Sequence, residues 1–247
     1  MVSRLLYRDG LMLVIDKPAG LPVHRGPNGG ESLEDHFGAL RFGLPRPPAL
    51  AHRLDRDTSG CLVLGRHRKA LAQLGRLFKT GAIEKTYWAV VEGGPEADEG
   101  VIELALGRLD VTRGWWMKPD SGGQPAITRW KVLGRATPAE TGARESVAWL
   151  ALEPVTGRTH QLRVHCAAMG WPIRGDTIYG TAPRRHGPIG GPILHLHARD
   201  IAVPLYKNRD PIRVTAPAPR HMEAALAQCG FQADREMETA AAAAAAE

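Results

Sequence analysis

The hydrophobic positions of the chain fall mainly into short apolar runs bounded by turn residues. Residues 11–16 form one run, which the turn-forming segment 17–20 closes, and residues 61–64 form another. Runs of this length predict buried β-strands. Residues 86–91 combine aromatic and β-branched side chains, which strands favour. The remaining strand candidates are residues 101–106, 126–133, 146–153 and 193–203.

Three segments carry helical spacing or helix-start signals. Apolar side chains recur at helical intervals from residue 68 to residue 79, and Gly81 stands where a C-cap belongs. Residues 159–169 predict a second helix, and Ser32 can N-cap a short third one that reaches about residue 42. Because strands and helices do not alternate regularly, we expect an α+β fold with a largely antiparallel sheet.

Length and composition are those of a globular protein. The chain has 247 residues, 43% of them hydrophobic, which is enough to bury a substantial core. We predict one domain over residues 1–230 and a frayed, Ala-rich tail over residues 231–247. No apolar run reaches the ~18 residues of a membrane span, and the N-terminus is too polar for a signal peptide. Cys61, Cys166 and Cys229 stand far apart without a CxxC pair, which argues against disulfides and a zinc site. The sequence thus predicts a cytoplasmic protein with reduced thiols.

The charge balance is compatible with a nucleic-acid partner. The formal net charge is +6, from 32 Lys and Arg against 26 Asp and Glu, and Arg outnumbers Lys. Arginine suits bidentate phosphate contacts. A GC-rich genome also favours arginine, so the charge supports RNA or DNA binding without deciding it.

Three polar segments contain residue types suited to a functional site. The segment 52–60, HRLDRDTSG, lies between a Pro-rich loop and a buried strand, and forms either an Asx or Ser turn with a surface ion pair or a catalytic loop. The segment 156–165 places two Arg and two His at a helix start, as a phosphate site or a solvated basic face. The third segment is residues 85–88, at the start of a predicted strand. Strand alternation puts Lys85 and Tyr87 on one face and Trp88 on the other, although a strand Tyr is more often part of the core.

Taken together, the three segments resemble the RluA-type pseudouridine synthases. The family's nucleophile motif, HRLD followed two residues later by TSG, reads HRLD-RD-TSG here; its KxY motif is Lys85-Thr86-Tyr87, and its GRTHQLRVH motif occupies residues 157–165. Supporting matches are DKPAG at 16–20, PIRGD at 172–176 and LHLHA at 194–198. The resemblance covers about residues 5–220. It implies a bent, mixed sheet with flanking helices around a central RNA-binding cleft.

The resemblance implies that uridine in RNA is isomerised without a cofactor or a metal, because nothing is oxidised and no group is imported. It makes Asp55 the essential carboxylate, which attacks the sugar, adds to the base or removes a sugar proton. A charged carboxylate in a closed pocket needs a cation to offset its desolvation. The resemblance assigns that role to Arg163, with Arg158 in reserve, and makes Tyr87 the residue that packs on the base. Asp57 is a competing carboxylate, but the motif favours Asp55.

The resemblance also implies that the uridine turns out of its RNA stack before it reacts. Arg53 then helps to fill the vacated space, since a guanidinium both stacks and donates hydrogen bonds. The other predicted substrate-binding residues are His52, Lys85, Arg158 and His160. The expected partner is a stem-loop of rRNA or tRNA, and the expected state is a monomer with no membrane association.

Many relatives carry a small RNA-binding domain of the S4 type before the DKPAG strand. Here that strand begins near residue 11, so we expect no such domain and assign RNA binding to the catalytic domain itself. Two rival functions are a non-catalytic RNA-binding protein and a hydrolase that cleaves the nucleoside bond. Retention of Asp55, Tyr87 and Arg163 together argues against the first, and release of free uracil would reveal the second.

Overall fold

The computed structural model describes residues 1–26, 29–110, 115–137, 146–182 and 192–232. The strands within these ranges are β1 Leu5–Arg8, β2 Met12–Lys17, β3 Ala49–Leu50, β4 Ser59–Gly65, β5 Glu84–Glu92, β6 Glu99–Glu103, β7 Leu106–Arg108, β8 Met117–Pro119, β9 Ile127–Ala136, β10 Val147–Pro154, β11 Leu196–Val203 and β12 Ile212–Thr215. The α-helices of the same ranges are α1 Arg68–Lys79, α2 Gln161–Ala168 and α3 Arg220–Gln228. Short 3₁₀ helices span Val2–Arg4 and Leu33–Leu40.

One large mixed sheet organises the fold. Its strands follow the order β1-β2-β4-β11-β5-β10-β9-β6, with β12 added to β11 and β3 added to β4. The pair β4–β11 is parallel and the other pairs are antiparallel. Strands β7 and β8 form a separate two-stranded ribbon. The predicted α+β class with a mostly antiparallel sheet is confirmed.

Helices cover both faces of the sheet, and the alternation of β5 shows how the faces differ. Tyr87 and Ala89 pack with Leu162 of α2 on one face. Trp88 packs with Met222 of α3 on the opposite face. Successive strand residues point to opposite sides, so this one strand supplies both layers of the core.

The other half of the sheet is covered in the same way. Leu62 of β4 packs with Phe37 of the second 3₁₀ helix. Val63, its neighbour, packs with Leu74 of α1 on the opposite face. The face that carries α2 and the second 3₁₀ helix is therefore the one toward which Tyr87 points.

The main predicted elements are present, with two corrections. Helix α1 has the predicted bounds, residues 68–79. The candidate strand over 101–106 is two strands, because β6 ends at Glu103 and β7 begins at Leu106. The helix after Ser32 is a 3₁₀ helix, in which the carboxylate of Asp35 accepts the backbone N–H of Ser32 at 2.9 Å. Strands β1, β3, β8 and β12 and helix α3 were not predicted.

The predicted tail over 231–247 falls outside the described residues beyond residue 232. The assignment of residues 1–230 to one domain stays a prediction. Within the described ranges, no helix combines the length and the apolar character needed to cross a membrane. The cytoplasmic location stays a prediction.

The parallel pair brings β4 unusually close to β11. Gly60 of β4 lies opposite Ala198 of β11 and has a φ of +103°. A Cβ at this position would overlap the carbonyl oxygen of Ala198. The glycine therefore permits both the backbone conformation and the contact between the two central strands.

We expect Gly60→Ala to lower the free energy of unfolding by more than the about 1–2 kcal/mol that the left-handed conformation alone costs. The added methyl group must push β4 and β11 apart. Gly20→Ala is the matched control, because Gly20 has a φ of +86° but open space around it. Urea unfolding of both variants measures the difference. Equal losses would contradict the explanation by close approach.

Candidate active site

The loop that precedes β4 is tied to the sheet by a buried ammonium group. Lys17 at the end of β2 is 0% exposed, and its Nζ donates to the carbonyl oxygens of Arg56 at 2.8 Å and Thr58 at 2.9 Å. Burial lowers the pKa of Lys17 to about 8, although the charges of Asp57 and Asp55 act in the opposite direction. Lys17 thus remains mostly charged at neutral pH and fixes the path of the loop on both sides of Asp57.

Asp55, on this loop, faces two nitrogen-bearing side chains of the 156–165 segment. Nη1 of Arg163 lies 3.6 Å from Oδ2 of Asp55, and Nε2 of His160 lies 3.7 Å from the same oxygen. These distances are longer than direct hydrogen bonds but short enough for strong electrostatic attraction in a site with little solvent. The Asp55 side chain is 18% exposed, so one part of the carboxylate still reaches the cleft.

Arg163 is held mainly by a second carboxylate. Its Nε and Nη2 donate to Oδ2 and Oδ1 of Asp176, both at 2.8 Å, and the two side chains are 4% and 1% exposed. The backbone N–H groups of Ile178 and Tyr179 also donate to Oδ1 of Asp176. Burial alone would raise the pKa of Asp176, but the hydrogen bonds and charge of Arg163 lower it overall. Burial likewise opposes the charge of Arg163, and Asp176 raises its pKa above the ordinary value.

His160 is the N-cap residue of α2 and has a left-handed backbone, with a φ of +52°. Its Nδ1 lies 2.7 Å from the hydroxyl oxygen of Tyr179, and the backbone N–H of Met117 donates to that oxygen at 2.9 Å. The indole of Trp115, 55% exposed, meets the His160 ring edge-on with centroids 5.4 Å apart. The β7–β8 ribbon region is therefore connected to the site through Tyr179 and His160.

Tyr87 and Lys85 line the cleft from β5, and Trp88 packs on the opposite face, as the strand alternation predicted. Burial, followed by the negative charge of Asp55, raises the pKa of the Tyr87 phenol, so its hydroxyl stays protonated. Burial lowers the pKa of Lys85. The site thus holds a neutral aromatic ring next to the carboxylate.

His52 takes part in the packing of the loop. Its Nε2 accepts the backbone N–H of Val63 at 3.0 Å, and its ring stacks on Phe78 with centroids 4.4 Å apart. Burial, followed by the charge of Lys85, lowers the pKa of His52 to about 3, so the ring is neutral at pH 7. The imidazole therefore joins the start of the loop to β4 and α1.

The two remaining predicted residues differ in their surroundings. Arg53 is exposed on the wall of the cleft. Arg158 is exposed and its Nε donates to the carbonyl of Pro125 at 3.0 Å, so Arg163 rather than Arg158 has its guanidinium within 4 Å of Asp55. Gln161 organises the turn before α2, where its amide oxygen accepts the backbone N–H of Arg158.

One cleft of about 650 Å³ brings the predicted site residues together. The predicted site residues that line it are Asp55, Tyr87, Arg163, Arg53, His52, Lys85, Arg158 and His160. They come from three segments that are far apart in the chain. The cleft combines one carboxylate, cations and a neutral aromatic ring, which suits a reaction at a nucleoside held by its phosphates.

Comparison with known proteins identifies the family. The family described as RNA pseudouridylate synthase matches residues 11–168. An uncharacterised RNA pseudouridine synthase of Zymomonas mobilis is 42% identical over 222 residues, which are 89% of this chain and 95% of that protein. The chain belongs to the RNA pseudouridine synthase family. The predicted RluA-type resemblance is thereby confirmed, and the protein is an RNA pseudouridine synthase, an isomerase.

Further relatives of the synthase agree. Ribosomal large subunit pseudouridine synthase C of Vibrio cholerae is 35% identical over 231 residues, which are 90% of this chain and 68% of that protein. Among solved structures, human RNA pseudouridylate synthase domain containing 4 has a TM-score of 0.73 and 27% identity, over 94% of both chains. The fold of the synthase is therefore shared along nearly its whole length.

The sequence analysis did not identify the residues that hold Arg163, His160 and the Asp55 loop in position. Asp176 was noted only as part of a motif, Tyr179 was not noted, and Lys17 appeared only in the turn after β2. The sequence signal that points to Asp176 is the PIRGD match at 172–176, in which Asp176 is the acidic residue. Among the described residues, no three His, Cys, Asp or Glu side chains gather in a group that could hold a metal ion.

We expect Asp176→Asn to weaken the synthase in both stability and turnover. The variant replaces one charge-assisted bond of a buried pair, a change that costs about 1.5–3 kcal/mol, and it frees Arg163 to move. Asp98→Asn is the control, because Asp98 pairs with Arg135 on the surface, where such pairs contribute about 0–1 kcal/mol. Urea unfolding and turnover on RNA measure both effects. A loss at Asp176 no larger than at Asp98 would show that the buried pair does not organise the site.

Proposed function

We propose that the synthase uses Asp55 as its catalytic carboxylate and acts on a uridine that has turned out of a structured RNA. The observation that carries the proposal is the position of Asp55 at the centre of the cleft, within 4 Å of Arg163 and His160. The carboxylate lies close to the guanidinium of Arg163 and still reaches the open space in front of Tyr87.

The reaction needs no more than this chain supplies. The C1′–N1 bond of uridine breaks, the base turns, a C1′–C5 bond forms, and the proton lost from C5 is balanced by the proton gained at N1. A charged carboxylate serves this sequence by attacking the sugar, adding to the base or removing a sugar proton. Arg163 supports the charge in each case, since Asp176 fixes its guanidinium and leaves Nη1 directed at Asp55.

The position of Tyr87 supports a role in holding the base. Its ring lies on the cleft face of β5, and its phenol stays neutral. A neutral aromatic face stacks on any base and adds no charge that would compete with Asp55. The uracil must rotate between bond breaking and bond formation, and a flat ring permits that rotation where a set of hydrogen bonds would oppose it.

The substrate side of the cleft suits a flipped nucleotide. Arg53 lies exposed at the wall, where its guanidinium can stack in the space that the uridine leaves. Lys79, Lys85 and Arg158 add cations along the same cleft. They are placed to contact phosphates on either side of the target nucleotide.

We further propose a stem-loop as the recognised element and large-subunit ribosomal RNA as the first RNA to examine. The second suggestion rests on the relative in Vibrio cholerae, which is a ribosomal large subunit synthase. We also propose that the synthase acts as a monomer. Pseudouridine mapping of stable RNAs from cells without the protein tests the RNA assignment directly.

We expect Asp55→Asn to abolish turnover and to leave RNA binding largely intact. The amide keeps the shape of the carboxylate and removes its charge, and a loss of at least about a hundredfold corresponds to about 2.7 kcal/mol of transition-state stabilisation. Asp57→Asn is the matched control on the same loop, because Asp57 pairs with Arg56 at 3.0 Å and is not among the cleft-lining residues. Turnover of the pure Asp55→Asn protein above a few per cent of wild type would refute the assignment.

We expect RNA affinity to fall with salt at a slope of about −3 or steeper in log–log form, for roughly four phosphate contacts. The expected cations are Arg53, Lys79, Lys85 and Arg158; the further Arg pair at 184–185 lies outside the described residues. Arg158→Ala should reduce the slope by about 0.7–0.9. Arg213→Ala should leave the slope unchanged, because Arg213 pairs with Glu84 away from the cleft.

The same titration on a scrambled, unstructured strand tests the preference for a stem-loop. A splayed loop base is easier to extrude than a paired one, and the loop also presents phosphates on a defined path. Turnover should be much lower on the unstructured strand. Equal turnover on both RNAs, or a flat salt response, would contradict this mode of recognition.

A further inference from the structure

Among the described residues, two neighbours of the Tyr179 hydroxyl bear on where its proton points. The backbone N–H of Met117 can only donate, and it donates to the Tyr179 oxygen at 2.9 Å. The second neighbour is Nδ1 of His160, at 2.7 Å. A phenol has a single proton, and only Nδ1 of these two groups can accept it. A hydrogen-bond chain from Met117 through Tyr179 to Nδ1 of His160 uses both contacts and gives the single phenol proton an acceptor.

This chain determines the tautomer of the histidine. When Nδ1 accepts the Tyr179 proton, a neutral imidazole carries its own proton on Nε2. Nε2 is the nitrogen that lies 3.7 Å from Oδ2 of Asp55. The opposite tautomer would place a lone pair against the carboxylate and direct two N–H donors at the Tyr179 oxygen, so that the phenol proton would have neither group as its acceptor.

The ring is neutral despite its carboxylate neighbour. Burial lowers the pKa of His160, the charges of Asp55 and Asp176 act against this, and those of Arg163 and Arg53 reinforce it. A neutral donor orients a carboxylate without adding a second full positive charge to that of Arg163. The carboxylate therefore keeps more of its reactivity than it would between two cations.

The backbone supports a functional placement of this ring. Phe42, His160 and Asn208 are the non-glycine residues with positive φ in the described part of the chain. His160 has no side-chain capping bond to α2 that would account for this conformation. Its left-handed backbone instead sends the ring between Tyr179 and Asp55, as strained residues at functional sites do.

We propose that Met117, Tyr179 and His160 form a relay of hydrogen bonds that fixes His160 as the Nε2–H tautomer and makes this neutral N–H a positioning group for Asp55. The proposal rests on the proposed function, in which Asp55 is the catalytic carboxylate. Arg163 and His160 both approach Oδ2 of Asp55. Oδ1 is then the oxygen that meets the uridine, and the relay holds the carboxylate plane in the productive direction.

Tyr179→Phe is the central test, because it removes one hydroxyl and keeps the ring that lies under Arg163. Tyr206→Phe is its matched control, since Tyr206 is also part-buried and gives its hydroxyl to Asp9, outside the cleft. We expect Tyr179→Phe to lower kcat about tenfold, the effect of one hydrogen bond in the transition state, with KM within about twofold. Tyr206→Phe should leave kcat unchanged.

Nitrogen NMR of ¹⁵N-histidine-labelled protein reads the tautomer without reference to activity. In the wild type, the shifts of His160 should be those of a protonated Nε2 and an unprotonated Nδ1. In Tyr179→Phe they should move toward a mixture of tautomers, whereas Tyr206→Phe should leave them in place. Melting temperatures of all variants verify that the fold is retained.

Substitution of His160 itself separates positioning from packing. The amide nitrogen of Gln extends to about the place of Nε2, whereas that of Asn reaches only that of Nδ1. We expect His160→Gln to keep more turnover than His160→Asn, even though Asn tolerates the left-handed backbone better. The opposite order would mean that the backbone conformation, and not the Nε2 donor, is what matters, and would overturn the proposal.

The outcomes also separate this proposal from the assignment of Asp55. Wild-type kcat and unchanged ¹⁵N shifts in Tyr179→Phe, with Asp55→Asn inactive, would refute the relay and keep Asp55. A raised KM with unchanged kcat in Tyr179→Phe would make Tyr179 an RNA contact and equally refute the relay. An active Asp55→Asn would instead refute the assignment of Asp55, whatever Tyr179→Phe shows.

Discussion

The guanidinium of Arg163 lies between the carboxylates of Asp176 and Asp55 and interacts with them unequally. The geometry of the site follows from this difference. Asp176 takes two hydrogen bonds at 2.8 Å, whereas Asp55 lies 3.6 Å from the remaining nitrogen. A buried guanidinium loses much hydration, and the bidentate pair with Asp176 offsets that loss before any substrate is present. Asp55 therefore lies close to a positive charge without a short hydrogen bond to it, which suits a carboxylate that must react.

The close approach of β4 and β11 helps to hold the Asp55 carboxylate next to Arg163. Gly60 lets the two strands approach, and Ser59 shares a hydrogen bond with the buried His197 at 2.9 Å. Lys17 then ties the carbonyls of the preceding loop to the end of β2. Because each of these contacts lies within a few residues of Asp55, a small slip of the sheet would move the carboxylate relative to Arg163.

The sequence made much of this architecture predictable, since strands, α1 and the three motifs are read from short continuous runs. The alternation along β5 correctly placed Tyr87 and Trp88 on opposite faces. The roles of Asp176 and Tyr179 could not be predicted in the same way, because each depends on what a turn brings next to α2. The 3₁₀ form of the helix after Ser32 was likewise missed, since local capping signals do not distinguish it from an α-helix.

The bond between Ser59 and His197 joins residues 138 positions apart, and this distance sets the order in which the enzyme can mature. Closing so long a loop costs chain entropy that is recovered only when the partner strand arrives. β2, β4 and the loop with Asp55 leave the ribosome before β11 does, because they precede it in the chain. The growing chain therefore waits with an open strand edge and an incomplete site.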